Sequence, residues 1–451
     1  MYKRQFVDKA NITDLDFTKD KIYSISQATK DKLENLDQKI TITTYNMYEY
    51  VEDFANKYAT LNDNITVEKL ENLTSKQEWK TEYGLTDTSS FVAVETESKI
   101  KILQDSDLYT YDYSTHEQID ITEEAITNAI LDVTTNIKPK ICILTGHNLY
   151  NDGYFQYLES SLESEVNQVE YLNLLTAGSI PKDCKVLVIT ALKNDIDKKE
   201  KDEILKYINN GGEILLLMDP NLGKIKTPNF QKILDVYGVK NSEGFIMEAN
   251  SSKMVSGAPS YIIASINTSS ELVKDINMGL NVCMMTAGKL TFESTDELAK
   301  KNVTLETLAT ASDKAFYRTD LTSSSQTKIS SDESASGATV AAMLTKTISE
   351  DKISKLIVFS NTAFATNAQI QMGMYYRYAI EFCNNEDILL NSVSYLTERE
   401  DNITIRKAGE TVTTYDVTEN QTKIILSIIF GIPVVIIIVG IVVWQVRRRK
   451  K

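Results

Sequence analysis

KICILT, at residues 140–145, is the clearest strand in the sequence, and KVLVIT at 185–190 and EILLLM at 213–218 repeat its pattern. A run that is apolar at successive positions suits a strand covered on both faces, as in a parallel sheet. Amphipathic helices are predicted between these runs, and Asp197 is predicted to cap a charged helix that runs through Asn209. Because repeated strand–helix–strand units cross over right-handed, residues 137–396 are predicted to form a doubly wound parallel α/β domain.

This domain contains further predicted elements after residue 240. An insertion at residues 241–350 holds predicted strands at 261–266, 280–285 and 303–308, and residues 318–337, rich in Ser, Thr, Asp and Lys, are predicted as an exposed loop. KLIVFS at 355–360 is predicted to return to the sheet as a late edge strand, followed by helices at 374–383 and 386–396.

Residues 21–136 are predicted to form a separate αβ unit. Alternating apolar residues in KITITTY, at 39–45, indicate a strand, and a helix at 47–61 leads to a second strand at 65–70. A hairpin over residues 91–103 and a helix at 122–136 complete a layout that resembles thioredoxin. No cysteine precedes Cys142, so thiol redox chemistry is excluded from this unit.

The composition bounds the chemistry. The chain has 451 residues, with 48 Lys+Arg against 63 Asp+Glu, and its net charge of −15 argues against nucleic-acid binding. The cysteines are Cys142, Cys184, Cys283 and Cys383, and the histidines are His116 and His147. Since no C-x-x-C pair, G-x-S-x-G elbow or Walker A loop occurs, no metal, cofactor, catalytic residue or ATPase activity is predicted.

The ends of the predicted strands offer one candidate ligand site. Ligands of a doubly wound sheet bind beyond the carboxyl ends of its strands. Those ends carry Thr145-Gly146-His147, Thr190-Ala191, Asp219-Pro220 and Ser360-Asn361. We expect His147 and Asp219 to lie on one edge of the sheet, as an acid/base pair or a site for a small ligand. The alternative is that Gly146 and Pro220 only make turns and that His147 is a surface imidazole.

Residues 424–446, IILSIIFGIPVVIIIVGIVVWQV from Ile424 onward, predict a transmembrane helix. These 23 residues carry no charge, and at 1.5 Å per residue they span about 34 Å, enough for a hydrocarbon core of about 30 Å. Pro433 is tolerated in such a helix, and Trp444 falls at the interface that indoles prefer. The cations at 447–451, which begin with Arg447, Arg448 and Arg449, predict a cytoplasmic tail. Residues 397–422 are predicted as a stalk.

The acidic part of the chain that precedes the membrane segment is predicted to lie outside the cell. The N-terminal sequence conflicts with this prediction. Residues 1–40 contain neither a signal peptide nor a membrane helix. Either the protein is tail-anchored with its bulk in the cytosol, or the sequence is truncated. We expect truncation, with residues 1–20 as a lead-in from a membrane helix upstream.

Three stretches resemble the GldG-like auxiliary components of ABC transporters, of the gliding-motility type. They are DFTKDKIYSIS at 16–26, KPK with TGH between 138 and 147, and SN, NSV and LTERED between 360 and 401. The resemblance implies an extracytoplasmic region between two membrane helices, working with a permease and an ATPase. It also implies a middle domain similar to class I glutamine amidotransferases without their catalytic cysteine. The missing first helix departs from the family pattern.

These observations favour a non-enzymatic, membrane-anchored extracytoplasmic subunit of an ABC-type transport system. One alternative is a degenerate amidotransferase-like ligand-binding or sensor protein. Another is a eukaryotic type I surface glycoprotein, because Asn-x-Ser/Thr triplets begin at Asn11, Asn64, Asn72, Asn250, Asn267, Asn302, Asn402 and Asn420.

Overall fold

The computed structural model describes residues 24–34, 36–112, 117–135, 138–273, 280–372 and 375–397. The first sheet has four strands, β1 (Ile40–Tyr45), β2 (Ile65–Leu70), β3 (Phe91–Glu95) and β4 (Ile100–Gln104), in the order β2-β1-β3-β4. Strands β1 and β2 are parallel, and the β1–β3 and β3–β4 pairs are antiparallel. A hairpin of β5 (Tyr109–Asp112) and β6 (Glu117–Asp120) follows.

The helices of this region are α1 (Gln27–Leu33), α2 (Glu49–Tyr58), α3 (Gln77–Glu82) and α4 (Thr122–Thr134). Glu123, at the start of α4, holds α1 in place. Its Oε1 accepts from the Ser26 backbone N–H and from the Thr29 hydroxyl, both at 2.8 Å. The predicted strands and the predicted helices at 47–61 and 122–136 are confirmed, with ends shifted by up to three residues.

The second region begins at residue 138 and contains the larger sheet. The strands are, in chain order, β7 (Lys140–Leu144), β8 (Gln168–Leu172), β9 (Cys184–Ile189), β10 (Glu213–Leu217), β11 (Val239–Lys240), β12 (Phe245–Met247), β13 (Tyr261–Ile266), β14 (Asn281–Met285), β15 (Thr291–Phe292), β16 (Val303–Thr310), β17 (Phe316–Arg318), β18 (Glu333–Ser334), β19 (Thr339–Ser349), β20 (Lys352–Phe359), β21 (Gln369–Met372) and β22 (Tyr375–Tyr378). The helices are α5 (Gln156–Ser164), α6 (Leu174–Ala177), α7 (Lys198–Asn209), α8 (Pro228–Tyr237), α9 (Thr295–Lys300) and α10 (Asn385–Leu396).

Nine of these strands form one mixed sheet, in the order β14-β13-β16-β19-β20-β10-β9-β7-β8. The pairs from β8 to β20 are parallel, and those from β20 to β14 are antiparallel. Apolar side chains cover both faces, with Ile141 and Ile143 in one core cluster and Leu144 in the other. The α/β class is therefore correct, but the expectation of an all-parallel sheet is wrong, because the strands of residues 261–349 extend the sheet antiparallel.

The strand at 355–360 is confirmed, but its predicted position at an edge is wrong. β20 lies inside the sheet, between β19 and β10. A tight turn at Glu350 and Asp351 folds β19 and β20 into an antiparallel hairpin. Burial of β20 from Ser354 to Phe359 then requires neighbours on both sides.

After residue 317, one further prediction is wrong and one is confirmed in the main. The segment 374–383, expected as a helix, contains β22 and a short 3₁₀ helix at Ala379–Glu381, while the helix expected at 386–396 is confirmed as α10. The segment 318–337 is largely exposed and irregular, as predicted, apart from the short strand β18. Arg318 is buried and donates from Nε to Asp332 Oδ1 at 3.0 Å and from Nη2 to Oδ2 at 2.6 Å. This ion pair organises the segment from within.

Several predicted features lie outside the described residues. They are the lead-in 1–20, His116, the stalk after Thr397, the membrane segment 424–446 and the basic tail 447–451. Within the described part of the chain, no helix has the length and apolar character needed to cross a membrane.

Candidate functional site

The candidate site lies at the carboxyl edge of β7, β9 and β10. β9 pairs in parallel with both β7 and β10, so the three strands end at the same edge of the sheet. His147 follows β7 and Asp219 follows β10, as the sequence predicted. Each side chain has its own set of hydrogen-bond partners, so the two do not form an acid/base pair with each other.

His147 is a buried side chain, not a surface imidazole. Its Nε2 lies 2.7 Å from Glu200 Oε2, and its Nδ1 lies 2.8 Å from Asn194 Nδ2. With the Asn194 amide donating to Nδ1, the proton on Nε2 is donated to Glu200. The same Glu200 oxygen accepts from the Asp197 backbone N–H in the capping box of α7. His147 therefore ties the end of β7 to the start of α7.

Asp219 is held by groups from two other segments. Its Oδ1 accepts from the Thr362 backbone N–H at 2.6 Å and from Asn361 Nδ2 at 3.3 Å, and its Oδ2 accepts from the Tyr150 hydroxyl at 3.3 Å. Burial raises the pKa of Asp219, and these hydrogen bonds oppose the shift. Burial also raises the pKa of Tyr150. The carboxyl group connects the end of β10 to the segment after β20.

Asn361 and Thr362 bond mainly to backbone. Asn361 donates to Met285 O at 2.6 Å and accepts from the backbone N–H groups of Met285 at 3.2 Å and Phe364 at 3.0 Å. The Thr362 hydroxyl donates to Leu217 O and accepts from the Ala191 backbone N–H. These hydrogen bonds join the segment after β20 to the ends of β10 and β14 and to Ala191, just beyond β9.

Four buried polar atoms near this edge have no protein partner among the described residues. They are Asn148 Nδ2, Thr190 Oγ1, Glu200 Oε1 and Ser360 Oγ. Their residues are at most 8% exposed. A buried polar atom without a hydrogen bond costs about 1–3 kcal/mol. Water or a small polar ligand at this edge would therefore be stabilised by hydrogen bonds to these four atoms.

Sequence reasoning missed the partners of both predicted site residues. Glu200 carried a signal, because Asp197 and Glu200 have the spacing of a capping box at the start of a helix. Asn194, Tyr150 and Thr362 carried none, since only the fold brings their segments to the strand ends.

The strand cysteines are buried small side chains. Cys142 and Cys184 lie in β7 and β9, and both are buried. The neighbouring Cys184 thiol, with burial, raises the pKa of Cys142. Burial likewise raises the pKa of Cys283. A raised pKa disfavours the thiolate that a cysteine nucleophile requires. Among the described residues, no three His, Cys, Asp or Glu side chains are grouped as metal ligands would be.

A cleft of 550 Å³ lies at the other end of the strands. Its lining includes Lys185, Tyr207 and Gly212, near the amino ends of β9 and β10, and Leu396 at the end of α10. The Tyr207 hydroxyl lies 3.0 Å from both Lys185 O and Glu213 O, which share its single proton. The cleft is therefore separate from the candidate site.

The fold and this site define a mixed α/β protein in which the side chains at the strand ends form hydrogen bonds mainly to other residues of the chain. The chain belongs to the family described as "ABC-type uncharacterized transport system", whose model matches residues 138–392. It is thus an auxiliary component of an ABC-type transport system, a role that places it with transporter subunits in a membrane context. The family match does not specify the gliding-motility type of transport system.

Three solved structures show weak similarity. The mmIFT52 N-terminal domain has 13% identity and a TM-score of 0.40, over 57% of this chain and 97% of that one. A protein from Parabacteroides merdae described as ThuA-like has 11% identity and a TM-score of 0.34, over 61% and 94%. Exo-beta-1,4-mannosidase Op5Man5 from Opitutaceae bacterium strain TAV5 has 8% identity and a TM-score of 0.28, over 75% and 46%. Scores of this size carry no conclusion on function. No curated protein matches the chain.

Proposed function

We propose that this protein is a non-enzymatic, membrane-anchored extracytoplasmic subunit of an ABC-type transporter of the gliding or export type. It would act by protein–protein contacts with the permease and ATPase subunits, anchored by the helix predicted at residues 424–446. The observation that carries the non-enzymatic role is the use of the strand-end side chains. Asp219, Asn361 and Thr362 hold neighbouring segments together at the edge where an α/β enzyme would place its reacting groups.

The finer fold assignments belong to this proposal. The order β2-β1-β3-β4, with only β1 and β2 parallel, supports a thioredoxin-like N-terminal unit. The parallel half of the larger sheet, with helices between its strands, supports a domain similar to class I glutamine amidotransferases. The burial of Cys142 and Cys184 supports the loss of thiol catalysis from it.

Cysteine substitution tests the non-enzymatic role. Cys142→Ser and Cys184→Ser each place a hydroxyl in an apolar core, so each should reduce stability modestly. We expect transport in cells that depend on this subunit to stay at the wild-type level while the protein is folded. Loss of transport with the folded protein still present would support a nucleophilic cysteine and contradict the proposal.

Protease accessibility tests the topology. In intact cells that produce the full-length protein with a C-terminal tag, added protease should digest residues 1–420 and leave the tag attached to a small membrane fragment. Permeabilised cells, in which the tag is also lost, are the control. A bulk domain that resists protease in intact cells and is cleaved after permeabilisation would show that it faces the cytosol.

A ligand-binding sensor is the second candidate, and the unpartnered atoms of Thr190 and Ser360 favour it. Free glutamine and glutamate are suitable probes, because the amidotransferase resemblance suggests them. We expect neither probe to shift the melting temperature of the wild-type protein. A shift that His147→Ala or Asp219→Ala abolishes, in a variant that is folded without ligand, would support the sensor instead.

A further inference from the structure

The two edges of the nine-stranded sheet differ in how their outward backbone groups are bonded. At the β14 edge, asparagine side chains from later segments cap them. Asn385 Oδ1 accepts from the Cys283 N–H at 2.8 Å, and Asn361 Oδ1 accepts from the Met285 N–H at 3.2 Å. An unpaired strand edge is a template for a further strand. The asparagines therefore close the β14 edge to further pairing.

The other edge is β8, and no strand among the described residues pairs with its outer side. The Gln168 N–H and the Leu172 carbonyl both bond toward β7, at 2.9 Å each. Because bonding directions alternate along a strand, the N–H and C=O groups of Val169 and Tyr171 point away from the sheet. The side chains of Val169 and Tyr171 are half-buried against a core cluster of the sheet. An extended backbone in register is what complements such a row of groups.

The last described residues lie near the amino end of this edge. α10 ends at Leu396, and Leu396 and Thr397 line the cleft together with Cys184 and Lys185, at the amino end of β9. A strand added beyond β8 is three strand positions from β9, or about 14 Å at about 4.8 Å per position. The five residue steps from Thr397 to residue 402 span up to about 17 Å when extended. The chain that follows α10 can therefore reach the β8 edge.

The handedness of the crossovers directs a strand after α10 to the β8 side. α5, which connects β7 to β8, packs on the same face of the sheet as α10, since Leu158 and Val393 share a core cluster. α7, which connects β9 to β10 in the opposite direction, packs on the other face through Ile204. Crossovers between parallel strands are right-handed, so a helix on the α5 face leads toward β8. The positions between β20 and β8 are filled by β10, β9 and β7. A parallel strand that follows β20 and α10 therefore belongs beyond β8.

Residues 402–407, NITIRK, alternate polar and apolar side chains, as is typical of a half-buried edge strand. We propose that this segment is a tenth strand of the sheet, parallel to β8, and that its backbone pairs with the outward groups of Val169 and Tyr171. Ile403 and Ile405 then cover the half-buried side chains of Val169 and Tyr171 on the α5 face. The inference goes beyond the proposed function, because it assigns the start of the predicted stalk to the domain itself.

Amide hydrogen exchange of the full chain in detergent, read at single residues, tests this inference. The Val169 and Tyr171 amides should exchange about 100-fold more slowly than unpaired amides. Thr404→Pro combined with Ile405→Pro removes a donor toward β8 in either register, so the protection should fall about tenfold or more. Thr413→Pro combined with Thr414→Pro, beyond the segment, is the matched control and should leave it unchanged. Thermal melting must show that both double variants are folded.

Three exchange results would overturn the inference. One is fast exchange of both amides in the wild-type chain. Another is protection that the substitutions at 404 and 405 leave intact, since a different group would then cover the edge. The third is protection that disappears on dilution, as it would if a second copy of the chain supplied the strand.

Disulfide formation supplies a second readout. Cys383→Ser first removes the exposed thiol. Neighbouring strands lie about 4.8 Å apart, within the Cα separation of about 4.4–6.8 Å that a disulfide bridges. Tyr171→Cys should therefore form an intramolecular disulfide with Ile403→Cys or Ile405→Cys, on the same face, in preference to Thr404→Cys, on the opposite face. Equal yields at the three positions, or a disulfide between two chains, would refute a parallel strand of fixed register.

Discussion

Asn361→Ala should destabilise the protein strongly, although it removes only one small polar side chain. Asn361 is 1% exposed and bonds the backbone N–H groups of Met285 and Phe364 and the carbonyl of Met285. Alanine leaves these three backbone groups without their partner. Each buried group without a partner costs about 1–3 kcal/mol, and this cost is lower where water enters beside half-buried Asp219. We therefore expect the free energy of unfolding to fall by about 3 kcal/mol. For a domain of this size, that corresponds to a melting temperature lower by about 6–12 °C.

The measurement is chemical and thermal unfolding of the full chain in detergent, followed by circular dichroism. Asn221→Ala is the matched control, because Asn221 also accepts from and donates to backbone, at Ile225, but at an exposed site. Water replaces the lost partner there, so we expect a change below about 1 kcal/mol. Equal losses in the two variants would show that burial of the Asn361 bonds is not what stabilises the strand ends.

Three further perturbations test other parts of the fold. Burial raises the pKa of Asp219. The contribution of the Asp219 carboxyl group to stability is therefore present below the ordinary Asp pKa of about 4 and is lost as pH rises through the raised pKa. A plot of unfolding free energy against pH should lose this step in Asp219→Asn. Arg318 lowers the pKa of Asp332. Their ion pair therefore stabilises the fold above pH about 4, and this stabilisation is lost as pH falls through the lowered pKa. Arg318→Met should reduce the free energy of unfolding by about 3–5 kcal/mol at neutral pH, which a urea titration measures. A Cβ on Gly212 would lie 2.3 Å from the Tyr207 ring, whose hydroxyl is fixed by three backbone bonds, so Gly212→Ala should cost about 1–3 kcal/mol in the same titration.

Local sequence patterns were sufficient to predict most strands and long helices. The runs at 140–145, 185–190 and 213–218 are buried along almost their whole length, so their composition reflects their environment directly. The α7 helix was predicted with its Asp197 cap for the same reason, since both cap and apolar stripe are encoded within one segment.

Long-range pairing was not predictable in this way. The apolar run of β20 shows that the strand is buried, but its place between β19 and β10 depends on hydrogen bonds to segments far apart in sequence. The pair of Arg318 and Asp332 lies in a polar stretch whose composition is typical of a loop, and burial of the pair depends on the return of the chain after 14 residues. At the candidate site, the partners of Asp219 come from segments about 70 and 140 residues away.

The residues that carry the family resemblance have mainly architectural roles. Gly146 has a φ of 102°, and a Cβ there would lie 3.3 Å from Asn173 Nδ2, so this turn requires glycine. Asn361 and Asn391 bond backbone groups of distant segments, with Asn391 donating to Leu272 O at 2.7 Å. A side chain in such a role can turn toward a ligand only by leaving buried groups without partners, at a cost of about 1–3 kcal/mol for each. Because that cost opposes binding at the strand ends, the recognition of partners is better served by exposed side chains, where contacts can form without breaking the interior.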